Sequence, residues 1–194
     1  MKKLIKRREI PAGNPVSDNA LLDRLYRSRH IKNSQELDRT LQSMLNPNQL
    51  HGIQQAVDLL VDAYQQQQKI VIVGDFDADG ATSTALSVLA LRMLGFTDVE
   101  YLVPNRFEQG YGLSVPVAEM AMEKGVQLLM TVDNGVSSFE GVAYLKEQGV
   151  KVLITDHHLP PEILPNADAI VNPNLQQCGF PSKCLAGVGE IGRA

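Results

Sequence analysis

At 194 residues, with 44% apolar and 21% charged side chains, the chain can bury one substantial core, and no apolar run approaches the roughly 18 residues that a membrane-spanning helix needs. The net charge of −4 is unevenly spread: residues 1–30 hold eight Lys/Arg against three Asp/Glu and the remainder is acidic, which excludes a uniformly basic face for gripping nucleic acid. The basic first residues lack the apolar stretch of a secretory signal, and Cys178 and Cys184 alone make neither a zinc nor a disulfide framework, so a cytoplasmic protein with free thiols and no membrane association is expected.

Residues 1–68 read as a helical N-terminal region. Leu21, Leu22, Leu25 and Tyr26 form one amphipathic run. Leu37, Leu41, Met44 and Leu45 form the next, with Ser34 as its N-cap and Asn46-Pro47-Asn48 as a break. A third helix is predicted over 52–68, where Ile53, Ala56, Val57, Leu60, Val61 and Tyr64 recur at helical spacing before an exposed glutamine tail at 65–68.

From Lys69 the texture changes, and 69–194 reads as a second domain. Short β-branched runs (KIVIVGD, VEYLVP, QLLMTVD, KVLITD, DAIVNP) alternate with segments 81–95, 114–125 and 138–149, each apolar on one side and ending at glycine. The order β-α-β-α-β-α-β-β predicts an α/β fold, an open doubly wound parallel sheet.

In such sheets ligands bind beyond the carboxyl ends of the strands. There the first run delivers Asp75, Asp77 and Asp79, the third Asp133-Asn134-Gly135, and the fourth Asp156-His157-His158. An acid at a strand end often only caps the next helix, and a lone histidine is ordinarily structural. Capping alone does not explain three acids at alternate positions together with an Asp-His-His triplet two strands later. Crowded carboxylates raise one another's pKa unless a cation neutralises them. Carboxylates joined by imidazoles suit Mn(II) or a similar borderline ion better than Ca(II), and two ions become possible if a carboxylate bridges them.

Residues 103–114 (VPNRFEQGYGLS) follow the second strand and open a helix. Arg106 suits a phosphate, the Gly110-Tyr111-Gly112 core suits a tight turn, and Tyr111 could stack on a base or sugar. The plainer reading is a loop with an exposed arginine and a buried tyrosine. Gly187-Val188-Gly189-Glu190-Ile191-Gly192 matches a dinucleotide-binding pattern, but no helix can follow it, so it is set aside. His30 and His51 have no acidic cluster around them and read as ordinary surface or capping residues.

The segments GDFDADGATS, VPNRFEQGYGLS, TVDNGVSS, TDHHLP, VNPN and FPSKCLAGVG, in that order over about 22–189, resemble the DHH phosphoesterases and among them the RecJ-type single-strand DNA exonucleases. The resemblance implies 5′-to-3′ hydrolysis of phosphodiesters in single-stranded DNA, in recombination and repair, with Mn2+ or Mg2+ and two ions in a complete enzyme. It implies Asp75, Asp77, Asp79, Asp133 and His157 as metal ligands, with Asp133 bridging. Asp156 would orient His157, His158 and Asp133 would be catalytic, and Arg106, Tyr111 and Gly112 would contact substrate. A helicase or single-strand-binding protein is an implied partner. Chains of this type continue beyond Leu-Ala-Gly-Val-Gly into an apolar helix and further domains, whereas this one turns to Glu190-Ile191-Gly192-Arg193-Ala194. An incomplete form with weak metal binding and little activity by itself is therefore expected.

Three other readings remain. One is a phosphodiesterase of the same superfamily acting on short oligonucleotides or dinucleotides, and another is an inactive metal-binding remnant. The third, a phosphatase with an aspartyl nucleophile, rests on the D-x-D loop alone and leaves His157 and His158 without a role.

Overall fold

The computed structural model describes residues 6, 8–38 and 40–192. The basic residues expected at 1–5 and 7, Arg193, Ala194 and the side chain of Leu41 lie outside the described residues. The chain divides into two compact units, 1–45 and 46–194.

In the first unit, α1 (Ala20–Arg27) starts where the Asn19 side chain accepts the backbone N–H groups of Leu21 and Leu22. The helix expected to follow Ser34 is replaced by two short 3-10 turns, Ser34–Leu37 and Leu41–Ser43. The side chain of Asn33, not Ser34, caps the first turn by accepting from Glu36 N–H, and Asp38 Oδ1 accepts from Thr40 N–H at 2.9 Å. Such local side-chain acceptors compete with helical hydrogen bonds and break the run.

The second unit opens with α2 (Ile53–Gln65), which buries Ala56 and Ala63. Then come β1 (Ile70–Gly74), α3 (Ala78–Met93), β2 (Val99–Leu102), α4 (Val115–Glu123), β3 (Leu128–Val132), α5 (Phe139–Glu147), β4 (Lys151–Thr155), β5 (Ala169–Val171) and α6 (Gly187–Ile191). Because α2 packs against β5, this compact unit begins before the boundary expected at 69. No helix among the described residues is long and apolar enough to cross a membrane.

All four strand pairings are parallel, in the order β2-β1-β3-β4-β5. Every residue of β1 and β3 is buried, so both faces are covered. On one of them Val71, Val73 and Leu129 pack with Val117 and Ala121 of α4 and Val142 and Leu145 of α5. The chain leaves β1 for β2 on one side and crosses back to β3 on the other, which makes the β1–β3 gap a topological switch point. Gly74, Val132, Thr155 and Val171 share one row across the sheet. Asp75, Asp133, Asp156 and Asn172 therefore leave it side by side.

Candidate metal centre and phosphate site

The first acidic loop is built by close packing. Asp77 Oδ1 accepts the N–H groups of Asp79 and Gly80, at 2.9 and 3.0 Å, and so starts α3. A Cβ at Gly80 would lie 2.3 Å from the Asp75 carbonyl oxygen, so only glycine lets the helix begin this close to β1. Asp77 is thus a cap after all, although its second oxygen keeps coordination open to it.

Beyond β3, Asp133 is buried and sits at φ +61°. A left-handed residue other than glycine is strained, and surroundings must hold it there. Asn134 supplies part of the hold: its Nδ2 donates to the carbonyls of Val73 at 3.0 Å and Val132 at 2.9 Å, tying β1 to β3 beneath the site.

Two groups of side chains converge. Asp75, Asp77 and Asp133 each offer an oxygen within 4.8 Å of the others, and Asp133, His157 and His158 do the same with oxygen and ring nitrogens. Asp133 belongs to both. His157 Nδ1 donates to the Leu185 carbonyl at 2.8 Å, which turns Nε2 toward Asp133 Oδ1, also at 2.8 Å. Nitrogen and oxygen lone pairs cannot face each other at that distance without a proton or a cation between them. Burial, and then the charges of Asp79 and Asp77, push the Asp133 carboxyl up to about 6 against the opposing pull of His157 and His158. A carboxylate held above its ordinary value by burial and by like charges is one that a cation would relieve, and this donor set fits a borderline divalent ion.

Two expected roles change. Asp156 orients His158 and not His157: its Oδ1 takes His158 Nδ1 at 2.7 Å and His158 N–H at 3.0 Å. Asp79 has both oxygens committed to α6, accepting from Gly187 N–H at 2.8 Å and Val188 N–H at 2.9 Å, and it joins neither ligand group. It lies 3.6 Å from His157 Nε2.

Residues 103–114 arch beside these groups. Tyr111 is half exposed, and its ring stands edge-on to His158 with centroids 6.4 Å apart. Burial, followed by the charges of Asp75, Asp156, Asp133 and Asp77, pushes its phenol up to about 12, so it stays protonated. Gly112, at φ +64°, passes next to Ser138 and Asn134. Tyr111, Leu113, Val136, Phe139, Asp156 and His158 line a cavity of about 470 Å³. Arg106 lies over the ring of Phe76, a residue that the sequence reading passed over.

The sequence profile described as the DHH family, N-terminal domain, matches residues 69–191. The chain belongs to the DHH family. The Asp-His-His triplet of this DHH domain is Asp156-His157-His158. Over 189 residues the chain is 84% identical to the single-stranded-DNA-specific exonuclease RecJ of Haemophilus influenzae, a match that covers 97% of this chain and 33% of the relative. It thus spans about a third of the length of that relative. A crystal structure of exonuclease RecJ bound to manganese superposes with a TM-score of 0.69 at 36% identity, covering 76% of this chain and 37% of the other. The Mn2+ complex of RecJ from Thermus thermophilus gives 0.67 at 32%, covering 86% and 23%.

The DHH triplet also has a support that sequence reasoning missed. Asn174 Nδ2 donates to the His157 carbonyl at 2.6 Å and Asn172 Nδ2 to the His158 carbonyl at 2.9 Å, so the VNPN segment after β5 clamps the backbone of both histidines. Two asparagines spaced to follow a neighbouring strand were the available signal. Gly187 closes the site from the other side, where a Cβ would stand 3.0 Å from Asp133 Cβ.

Proposed function

We propose that this chain carries the metal-binding site of a single-strand DNA exonuclease, hydrolysing phosphodiesters from the 5′ end in DNA repair and recombination in the cytoplasm. The observation that carries this reading is the convergence of Asp75, Asp77, Asp133, His157 and His158 at the switch point of the sheet. It is supported by the 84% identity to a RecJ exonuclease and by the likeness to manganese-bound RecJ structures. Asp75, Asp77 and His157 would hold Mn2+ or Mg2+, with Asp133 shared between two ions. Bound divalent ions supply Lewis acidity that acidifies water and offsets charge on a phosphoryl group.

The protein's own groups do the rest. Asp156 fixes His158 through Nδ1 and favours its protonated form, which leaves Nε2–H as the group that would donate a proton to the scissile phosphate. Arg106 offers its guanidinium edge to a phosphate of the strand, and Tyr111 offers a face to a sugar or base. The 470 Å³ cavity beside His158 has room for one nucleoside. Single-stranded DNA is the proposed substrate, with a helicase or single-strand-binding protein as a proposed partner.

The test is Mn2+-dependent release of nucleotides from a 5′-phosphorylated single strand. It compares the 194-residue chain, the same chain extended by the region that the Haemophilus relative carries beyond the match, and the extended chain with Asp133→Asn. Slow release by the first, rapid release by the second and none by the third is expected. Equal rates with and without Asp133 would end the proposal.

A further inference from the structure

Arg106 has an unusual setting for a cation beside so many acids. Among the described residues it enters no ion pair or hydrogen bond with a carboxylate; its contacts are with rings. The guanidinium carbon lies 4.1 Å from the centroid of Phe76 and 5.9 Å from that of Tyr111. A guanidinium held by its face keeps its N–H donors, which lie in its plane, free for another acceptor. Phe76 itself stands between Asp75 and Asp77 in the chain, and its N–H is tied to Asp75 Oδ1 at 2.8 Å. The residue is 46% exposed, more than core packing would leave.

We infer that Phe76 is a positioning residue, whose ring holds Arg106 by its face so that the guanidinium edge meets a phosphate of the bound strand. This rests on the reading of the site as one for a nucleic-acid phosphodiester. Through Phe76, the loop that supplies two ligand carboxylates also sets the phosphate anchor, although Arg106 follows 30 positions later. Tyr111 is the more distant ring, so Phe76 makes the closer contact with Arg106. Exposure leaves Phe76 with little part in the core, so its replacement should not unfold the sheet.

Affinity for a 3′-labelled, 5′-phosphorylated, phosphorothioate-linked single strand, read by fluorescence anisotropy, tests the assignment. Phe76→Leu should weaken binding about fivefold, the scale of a partly exposed cation–π contact, and Phe76→Tyr should restore it. In an Arg106→Gln background Phe76→Leu should cost nothing further, since its effect passes through Arg106. An equal loss in both backgrounds, or failure of tyrosine to rescue, overturns the inference. The chain contains no tryptophan, so Phe76→Trp adds a single indole. Its emission should differ between the Arg106 and Arg106→Gln backgrounds, and identical spectra would also overturn the contact. If the unaltered chain binds no single strand, the proposed function fails, while the emission comparison still decides whether Arg106 sits on residue 76.

Discussion

The Asp156 carboxylate holds His158 at both its ring and its backbone nitrogen, and through Oδ2 it also accepts Val136 N–H at 2.8 Å. Burial alone would lower the His158 pKa, but the Asp156 hydrogen bond and the charges of Asp156, Asp133 and Asp75 outweigh it, so the net shift is upward. The pair therefore stabilises the fold fully below the ordinary histidine value, and that share is lost as pH rises through the folded one. In Asp156→Asn the midpoint of the His158 Cε1–H titration by NMR should fall. An unmoved midpoint would mean that Asp156 does not set the charge of His158.

Glu190 in α6 is 1% exposed, and neither of its carboxyl oxygens has a partner among the described residues. Burial, then the charges of Asp156, Asp133 and Asp79, push it up to about 10. A carboxyl with a folded pKa above its unfolded one binds a proton on folding, so stability falls as pH rises between those values, by about 1.4 kcal/mol per unit for a fully buried group. Glu190→Leu should raise the melting temperature, more at pH 8 than at pH 5.5, and Glu190→Gln should remove most of the pH dependence. An equal gain at both pH values would mean that Glu190 is not the titrating group.

The strands and the acids at their ends were legible because periodicity and charge are local properties of the sequence. The partner of Asp156 was not, since the direction of a side chain past a strand end depends on how the chain turns. Asp79 looked like its neighbours at alternate positions, and only the approach of α6, more than a hundred residues on, shows what its oxygens accept. Asn172 and Asn174 were visible as a motif, but their hold on the histidine carbonyls depends on β5 lying next to β4. The helix expected after Ser34 failed because a spacing of leucines carries no information about competing acceptors such as Asn33 and Asp38.

If Asp133 ligates the ion as proposed, metal affinity should depend on pH. With its carboxyl pushed up to about 6, protons compete with the ion across the mildly acidic range. Mn2+ affinity, read by titration calorimetry, should be near its plateau at pH 8 and fall about tenfold per unit once the pH drops below 6. Binding should release protons in that lower range, and the apparent enthalpy should therefore change with the ionisation enthalpy of the buffer. Asp133→Asn should abolish both the binding and the proton release. Affinity that stays flat from pH 5 to 8 would take Asp133 out of the coordination sphere.

Asp77 and Asp79 separate by the same measurement. Asp79 spends both oxygens on the first N–H groups of α6, so Asp79→Ala should loosen 187–192 and cost about 1–2 kcal/mol of stability, as loss of a helix cap does. Asp77 caps α3 with one oxygen only and joins Asp75 and Asp133, so Asp77→Asn should keep most of the cap while Mn2+ affinity drops. Hydrogen exchange would report faster opening of 187–192 in Asp79→Ala and no change there in Asp77→Asn. If Asp79→Ala instead lost Mn2+ binding as completely as Asp77→Asn while α6 stayed protected, the carboxylate would have to leave the helix for the ion. The expectation of three ligands from the first loop would then stand.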